Sequence, residues 1–290
     1  MSDPDPLAAL DSEAPVEQAG PAPWPLPGRG GTWRFHALAT ALYGLAVAAM
    51  VVTARGEDRV AAATIGLEGL ALSAFVRLLM AGRLERRFLR RHGGEPREAP
   101  LLAARLAGSG VRRLFVLPST KLVGSAFRRG PTAYVAVHPA ILRRHDAATR
   151  FVLAHELAHL ARSDTARRIV VVAYATAAGG AALVETILQG RHRWALWLLP
   201  LAYLAVLTGF NWTRELDCDR LAVATGGRDG ALLCLARLRD ASRRAVAGRS
   251  TWPGRAKVWL ALRLDLLVHP PLRLRHALAS RWRQPRPDGT

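Results

Sequence analysis

The chain has 290 residues, of which 50% are hydrophobic and 22% are charged, and its formal net charge is +19. Arginine supplies nearly all of the positive charge, which is typical both of nucleic-acid binders and of the cytoplasmic flanks of membrane proteins. The chain has only two cysteines, Cys218 and Cys234, which exclude a disulfide framework and a metal site of the CxxC type.

The N-terminal segment, residues 1–32, is rich in proline, alanine and acidic side chains. Such a composition buries too little apolar surface to fold, so we predict a disordered tail. Its acidic start is not typical of a signal peptide, which begins with a basic region.

Two apolar stretches follow, Trp33–Val52 and Val60–Ala81. Each is long enough to cross a bilayer, so residues 33–81 are predicted to form a transmembrane hairpin of two spans. Glu68 interrupts the second stretch and is expected to face a neighbouring helix. The alternative is a pair of buried helices in a soluble protein, although few soluble helices lack a polar face over such a length.

A basic run comes directly after the hairpin, with arginines at positions 83, 86, 87, 90 and 91. The bias of cytoplasmic loops toward positive charge places this run, and the N-terminus, in the cytoplasm. The run lacks interleaved aromatic residues and stands where the flank of a membrane span should stand. We therefore predict no nucleic-acid partner.

Residues 82–168 are predicted to form the first cytoplasmic part of the molecule. Strands are expected at Val111–Pro118 and Thr132–Val137, with a short helix over residues 96–110, a turn-rich connection over 119–131 and a further short helix from Pro139. The open edge of such a sheet could hold an extended peptide by backbone hydrogen bonds.

The stretch Asp146–Asp164 is predicted to form a helix with Asp146 as its N-cap, and it carries the sequence HELAH. Residues four apart lie on one face of a helix, so the imidazoles of His155 and His159 project together. Zinc accepts two such nitrogens, and Glu156 would lie close enough to act as a base on a water that the metal activates. A site of this kind needs a third ligand.

A second apolar pair, Ile169–Gln189 and Trp194–Trp212, is separated by a short polar turn. Tryptophan at both ends of the latter stretch is typical of a membrane interface. We predict a second transmembrane hairpin over residues 169–212, which gives about four transmembrane helices in all. A soluble helical hairpin is the alternative.

The sequence RELDCDRLA follows the second hairpin and supplies a third ligand. Glu215 and Asp219 are four apart and share one helical face, so Glu215 could complete the metal site. Asp219 could bind the outer nitrogen of a ligand histidine and fix its tautomer. The alternative is a charged, solvated helix start. Cys218 is predicted to be a packed residue and not a ligand.

The remainder, residues 213–280, is predicted to form the second catalytic part, and residues 281–290 a basic tail. Helices are expected at Gly226–Arg244 and Lys257–Val268, before the sequence HPPLRLR. Either His269 or Arg275 could donate a hydrogen bond to the oxyanion that forms during peptide hydrolysis. For His269, a structural role at a helix end is the alternative.

Taken together, residues 97–280 resemble the HtpX-like family of membrane zinc metallopeptidases, which also includes the CAAX prenyl protease type. The resemblance rests on Ala126-Phe127, on HELAH with Asp164 five residues later, on RELDCDRLA and on HPPLRLR. Ser125 stands where the family usually has asparagine. The resemblance implies one Zn²⁺ per chain, held by His155, His159 and Glu215, with Glu156 as the base.

The expected fold is therefore mainly α with a small β-sheet, in an integral membrane protein of the zincin-like type. The expected function is zinc-dependent endopeptidase activity at the inner (plasma) membrane, with the site facing the cytoplasm. Protein or peptide substrates and the lipid bilayer are the expected partners, and the oligomeric state stays open. The alternatives are a BlaR-type membrane sensor with a metal site, or a scaffold that is not an enzyme.

Overall fold

The computed structural model describes residues 29–53, 58–119, 124–138, 146–189, 195–248 and 252–282. The predictions made for residues 1–28, for the short helix that begins at Pro139 and for residues 283–290 lie outside the described residues. The last four residues of the predicted disordered tail, 29–32, instead begin a helix.

Helices dominate the described part of the chain, which confirms the prediction of a mainly α fold with a small sheet. A short 3₁₀ turn at Ala107–Ser109 accompanies the α-helices. The α-helices are α1 (Arg29–Thr53), α2 (Asp58–His92), α3 (Pro100–Arg105), α4 (Ala147–Ala161), α5 (Asp164–Gln189), α6 (Ala195–Gly226), α7 (Arg228–Ala247), α8 (Trp252–Asp265) and α9 (Leu272–Ala279).

The sheet has four strands in the order β1-β2-β4-β3. They are β1 (Arg97–Glu98), β2 (Arg113–Pro118), β3 (Ser125–Arg129) and β4 (Thr132–Val137). Strand β4 runs parallel to β2 and antiparallel to β3, while β1 pairs antiparallel with β2. Strand β3 therefore occupies an edge of the sheet.

The prediction of a turn-rich connection over residues 119–131 is wrong for Ser125–Arg129, which form β3. Arg129 pairs with Thr132, so only Gly130 and Pro131 separate β3 from β4. Gly130 has a φ of 58°, which glycine adopts without strain at the first position of such a two-residue turn. Turn residues flank this five-residue strand on both sides, so the sequence shows no strand pattern of useful length there.

Helix α4 lies between two hydrophobic clusters, which explains why it carries apolar residues around most of its circumference. On the sheet side the cluster includes Leu114, Val116, Val135, Leu157 and Leu160. On the other side, toward α6 and α7, it includes Phe151, Ala154, Ala222, Val223 and Leu235. A helix held on two sides is a rigid support for the HELAH side chains.

Helix α6 packs on both α4 and α5, and it continues without a break from Ala195 to Gly226 despite Pro200. From Ala195 onward, the predicted apolar stretch and the sequence RELDCDRLA therefore share one helix. At about 1.5 Å per residue, this continuity fixes Glu215 roughly 30 Å along α6 from its first residue. Gly227, with a φ of 89°, ends the helix in the left-handed conformation.

Four membrane spans are predicted from the sequence. Among the described residues, no helix combines the length and the apolar character needed to cross a bilayer.

Candidate metal centre

Three side chains from α4 and α6 converge on one point. The Nε2 atoms of His155 and His159 are 3.1 Å apart. The carboxylate oxygens of Glu215 lie 3.4 Å from Nε2 of His155 and 3.5 Å from Nε2 of His159. Tetrahedral zinc with bonds of about 2.0–2.1 Å would separate its ligand atoms by about 3.3 Å. The three residues therefore fit a zinc ion in both chemistry and spacing.

Packing between the two helices brings Glu215 to the imidazoles across sixty positions of sequence. Ala222 and Val223 of α6 are buried against Phe151 and Ala154 of α4. This apolar contact fixes the relative register of the helices, since each buried side chain occupies a defined gap on its partner. Glu215 lies two turns before Ala222 on α6 and is itself only 2% exposed.

Each ligand imidazole has a carboxylate on its outer nitrogen. Nδ1 of His159 is 2.8 Å from Oδ2 of Asp164, and Nδ1 of His155 is 2.9 Å from Oδ1 of Asp219. The second pair lacks the alignment of a hydrogen bond, but its distance is that of an ion pair. Carboxylates in this position hold the ring so that Nε2 faces the metal, and they make the ring a better ligand.

Asp164 belongs to the candidate site, although the sequence analysis gave it no role. It begins α5, only three residues after α4 ends, and Ser163 between them has a φ of 56°. This left-handed residue turns the chain back on itself, so that the Asp164 carboxylate returns to His159. The spacing of five residues after the second histidine was the available indication.

Cys218 lies behind His159, as expected for a packed residue. Its Sγ is 3.2 Å from Nδ1 of His159 and 3.4 Å from Oδ2 of Asp164. These three side chains lie close enough to hold a metal by distance alone. However, burial and the nearby Asp164 carboxylate raise the pKa of the thiol well above its ordinary value. Cys218 is fully buried and packs against the outer side of His159.

Residues 107–282 match the family model Peptidase family M48, which covers more than half of the chain. The chain belongs to peptidase family M48.

This M48 chain is 31% identical over 205 residues to a protein from Acaryochloris marina (strain MBIC 11017) named Protease HtpX homolog. The alignment covers 61% of the chain and 66% of that relative, just under two thirds of its length. No solved structure matches the chain. The predicted resemblance to the HtpX-like metalloproteases is thereby confirmed, and the family is zinc-dependent in general.

The two carboxylates nearest the candidate metal centre have opposite pKa shifts. Burial raises the pKa of Glu215, but the imidazoles of His159, His155 and His269 outweigh burial and hold it well below its ordinary value. A terminal nitrogen of Arg214 also donates to Oε1 of Glu215 at 2.7 Å. Glu215 is therefore ionised, as a ligand must be.

Glu156 faces a different environment in the same M48 site. It is 5% exposed, and burial raises the pKa of its carboxyl above the ordinary value despite the opposing effect of the two ligand imidazoles. A carboxyl with a raised pKa holds a proton more readily, which suits a group that accepts and then returns one.

The two candidate oxyanion donors of the M48 chain lie in different places. Nδ1 of His269 is 3.1 Å from Oε2 of Glu215, its Nε2 is 3.7 Å from Asp265, and its side chain is 39% exposed. Arg275 is buried and donates from Nε and a terminal nitrogen to the two oxygens of Asp219, at 2.7 and 2.6 Å. His269 therefore lies at the mouth of the site, whereas Arg275 lies behind it.

A cleft of about 1620 Å³ lies over the candidate metal centre. Its lining includes Glu156, both ligand imidazoles, Glu215 and His269. The cleft also reaches the start of β3, where a Cβ atom added at Gly124 would lie 2.6 Å from the Glu156 carboxylate. The edge strand and the base are thus in close contact.

Proposed function

We propose that this chain is a zinc-dependent endopeptidase with one zinc ion per chain, held by His155, His159 and Glu215. The observation that carries the proposal is the triangle of three ligand atoms, 3.1 to 3.5 Å apart, beside the buried carboxyl of Glu156. A purely structural zinc site has no need of such a base. Membership of a metalloprotease family supports the same function.

Zinc, when bound, polarises the scissile carbonyl and lowers the pKa of water. Glu156 accepts a proton from the attacking water and delivers it to the leaving amine. The raised pKa of Glu156 supports this double role, because a carboxyl whose pKa is nearer to neutral pH can both accept and return a proton. Asp164 and Asp219 keep the two imidazoles oriented throughout.

We assign the oxyanion donor to His269. Its position beside Glu215 and its partial exposure support contact with a substrate in the cleft. Two nitrogens of Arg275 are committed to Asp219, so we assign Arg275 the task of positioning that carboxylate. The sequence predicted either His269 or Arg275 as the oxyanion donor, and these contacts favour His269.

The substrate would bind as an extended peptide along the part of the β3 edge that precedes Arg128, whose backbone N–H already donates to Oγ1 of Thr165 at 3.3 Å. An edge strand offers unpaired backbone groups that can add one more strand. Gly124, directly before β3, lies against Glu156, so a peptide bound along this edge would pass close to the proposed base.

We also propose that the enzyme is an inner-membrane protein whose site faces the cytoplasm and acts on membrane or misfolded proteins. Support comes from the apolar stretches in residues 33–81 and 169–212, from the arginine run after residue 82 and from similarity to the Protease HtpX homolog. The catalytic parts would then be residues 82–168 and 213–280, between the tails at 1–32 and 281–290. Membrane fractionation and protease protection of vesicles test this placement.

Cleavage of casein by the purified protein tests the enzymatic part of the proposal. We expect cleavage that a chelator stops and that zinc restores. The variant Glu156→Gln should still bind zinc but lose cleavage, because an amide cannot accept the proton. Cleavage that persists in Glu156→Gln contradicts the proposal. A wild-type protein that holds zinc and cleaves no substrate would instead favour the sensor alternative.

A further inference from the structure

Arginine dominates the charged lining of the cleft over the metal centre. Among the described residues, nine arginines line the cleft, against four carboxylates. Three of the nine are engaged: Arg275 with Asp219, Arg214 with Glu215, and Arg263 over the ring of Trp259 at 4.8 Å. The other six form no ion pair with any described carboxylate, namely Arg87, Arg91, Arg168, Arg239, Arg243 and Arg273.

None of the four carboxylates of the cleft forms an ion pair with these six arginines among the described residues, and each has another contact or role. Glu215 contacts the imidazoles and Arg214, and Asp164 contacts His159 and Arg162. Asp265 lies 3.7 Å from His269. Glu156 is the base. A zinc ion would add two further positive charges. The cleft therefore attracts anionic groups from outside, and its walls focus that field on whatever enters.

The unpaired arginines lie on two separate walls. Arg87 and Arg91 belong to α2, which packs against β3 on the sheet side of the site. Arg239 and Arg243 belong to α7, which packs against α4 from the side opposite the sheet. Both walls line the same cleft as Glu156 and the candidate ligands, so an extended peptide that passes through the cleft would meet arginines on both sides of the scissile bond.

We propose that the enzyme selects acidic substrates: peptides with Asp or Glu on both sides of the bond that is cleaved. The proposal rests on the endopeptidase function proposed above. Arginine binds carboxylates through charge-assisted and often bidentate hydrogen bonds, so flanking acidic side chains would supply the partners that the six arginines lack.

Three peptides of one length test the proposal on the full-length zinc-loaded enzyme. They share one core and carry Asp and Glu, their amides Asn and Gln, or Lys at the flanking positions. We expect kcat/KM for the acidic peptide to exceed that for the amide peptide by about tenfold, and the advantage to shrink as salt is added. Cleavage of the amide peptide at an equal or higher rate would overturn the proposal.

Arg243 and Arg244 provide a matched pair of variants. Both are exposed neighbours on α7, but only Arg243 lines the cleft. Arg243→Glu and Arg244→Glu change the net charge equally. We expect the ratio of kcat/KM for the acidic over the amide peptide to fall about threefold in Arg243→Glu and to stay at its wild-type value in Arg244→Glu. Equal falls would mean that only the overall charge of +19 acts, which overturns the proposal. Arg239→Glu replaces Arg243→Glu if the latter does not fold.

A binding measurement separates the failure of this proposal from the failure of the endopeptidase function. Zinc-loaded Glu156→Gln protein is titrated with the three peptides, labelled for fluorescence anisotropy. No cleavage by the wild type together with preferred binding of the acidic peptide would overturn the endopeptidase function alone. Equal binding of all three peptides would overturn the acidic preference.

An anionic lipid surface would also meet unpaired arginines, and vesicles distinguish it from a peptide. Wild type, Arg243→Glu and Arg244→Glu are mixed with phosphatidylcholine vesicles with or without phosphatidylglycerol. We expect Arg243→Glu and Arg244→Glu to bind the anionic vesicles alike. Loss of vesicle binding in Arg243→Glu alone, with all three peptides bound equally, would overturn the proposal in favour of a lipid.

Discussion

Arg275 holds Asp219 by two hydrogen bonds, from Nε to Oδ2 at 2.7 Å and from a terminal nitrogen to Oδ1 at 2.6 Å. The two residues lie 56 positions apart, on α9 and α6, and both are buried. Burial alone would lower the pKa of Arg275, but Asp219 outweighs it and raises the pKa above the ordinary value. The guanidinium therefore stays charged and fixes the carboxylate that contacts His155.

The first prediction concerns this pair. Arg275→Lys keeps the charge but cannot form both bonds, because an ammonium lacks the planar fork of a guanidinium. We expect the zinc affinity to fall by about tenfold to a hundredfold, the usual effect of losing an outer partner of a ligand. Competition with a coloured zinc chelator measures it. Arg281→Lys, on an exposed residue beyond α9, is the control. Equal affinities in the two variants would contradict the role given to Arg275.

A second prediction concerns Asp164, whose carboxylate lies 2.8 Å from Nδ1 of His159. In Asp164→Asn the negative charge is lost, so the ring becomes a weaker ligand and the zinc affinity should fall by about tenfold. Asp217→Asn is the matched control, because Asp217 pairs with Arg162 and contacts neither ligand histidine among the described residues. If Asp164→Asn binds zinc as tightly as Asp217→Asn, the support given to His159 is not needed.

The third prediction concerns the close contact between Gly124 and Glu156. A Cβ atom at position 124 would lie 2.6 Å from the Glu156 carboxylate, so Gly124→Ala must displace the base or the edge strand. A displacement of about 1 Å at a catalytic group can cost about a hundredfold in rate. We expect kcat to fall by that order while zinc stays bound. Gly108→Ala, where an added Cβ meets nothing within 4 Å, should leave kcat unchanged. An active Gly124→Ala enzyme would argue against the assigned position of Glu156.

A fourth prediction concerns the stability of α4. Asp146 caps the helix by accepting a bond from the backbone N–H of Thr149 at 2.9 Å, and it also accepts one from Arg237. Burial raises the pKa of Asp146, but the hydrogen bonds from Arg237 and Thr149 outweigh burial and lower it below the ordinary value. Asp146→Ala should lower the free energy of unfolding by about 1 kcal/mol at pH 7.

The pH dependence of this loss has a definite sign. A carboxyl whose pKa is lower in the folded state stabilises the fold above its unfolded-state pKa, and this contribution disappears as the pH falls through the folded-state pKa. The difference between wild type and Asp146→Ala should therefore shrink below about pH 4. Denaturant titrations at several pH values measure it, with Asp146→Asn as a control that keeps the cap but not the charge. If the difference in the free energy of unfolding does not change with pH, the charge of Asp146 does not contribute to the stability of α4.

Local spacing predicted part of the candidate site, and packing between distant segments supplied the rest. The spacing of four between His155 and His159 is enough to place them together on α4. Glu215 was found because a second carboxylate-bearing sequence follows the second apolar pair. The bidentate bond between Arg275 and Asp219 could not be predicted, because it depends on how α9 packs on α6.

Two further features were missed for local reasons. Strand β3 has five residues and lies between turn residues, so its composition gave no strand pattern of useful length. The contact between Asp164 and His159 depends on one left-handed residue, Ser163, and a serine at that place does not by itself predict a reversal of the chain. In both cases the conformation of a short segment depends on the elements that pack around it, and not on its own sequence.

The central claim is that His155, His159 and Glu215 hold one zinc ion, and metal analysis of the purified protein tests it most directly. We expect about one zinc per chain in the wild type and in the control Asp217→Asn, and a large loss of zinc in His155→Ala and in Glu215→Ala. Zinc retained by Glu215→Ala at wild-type stoichiometry and affinity would contradict the account.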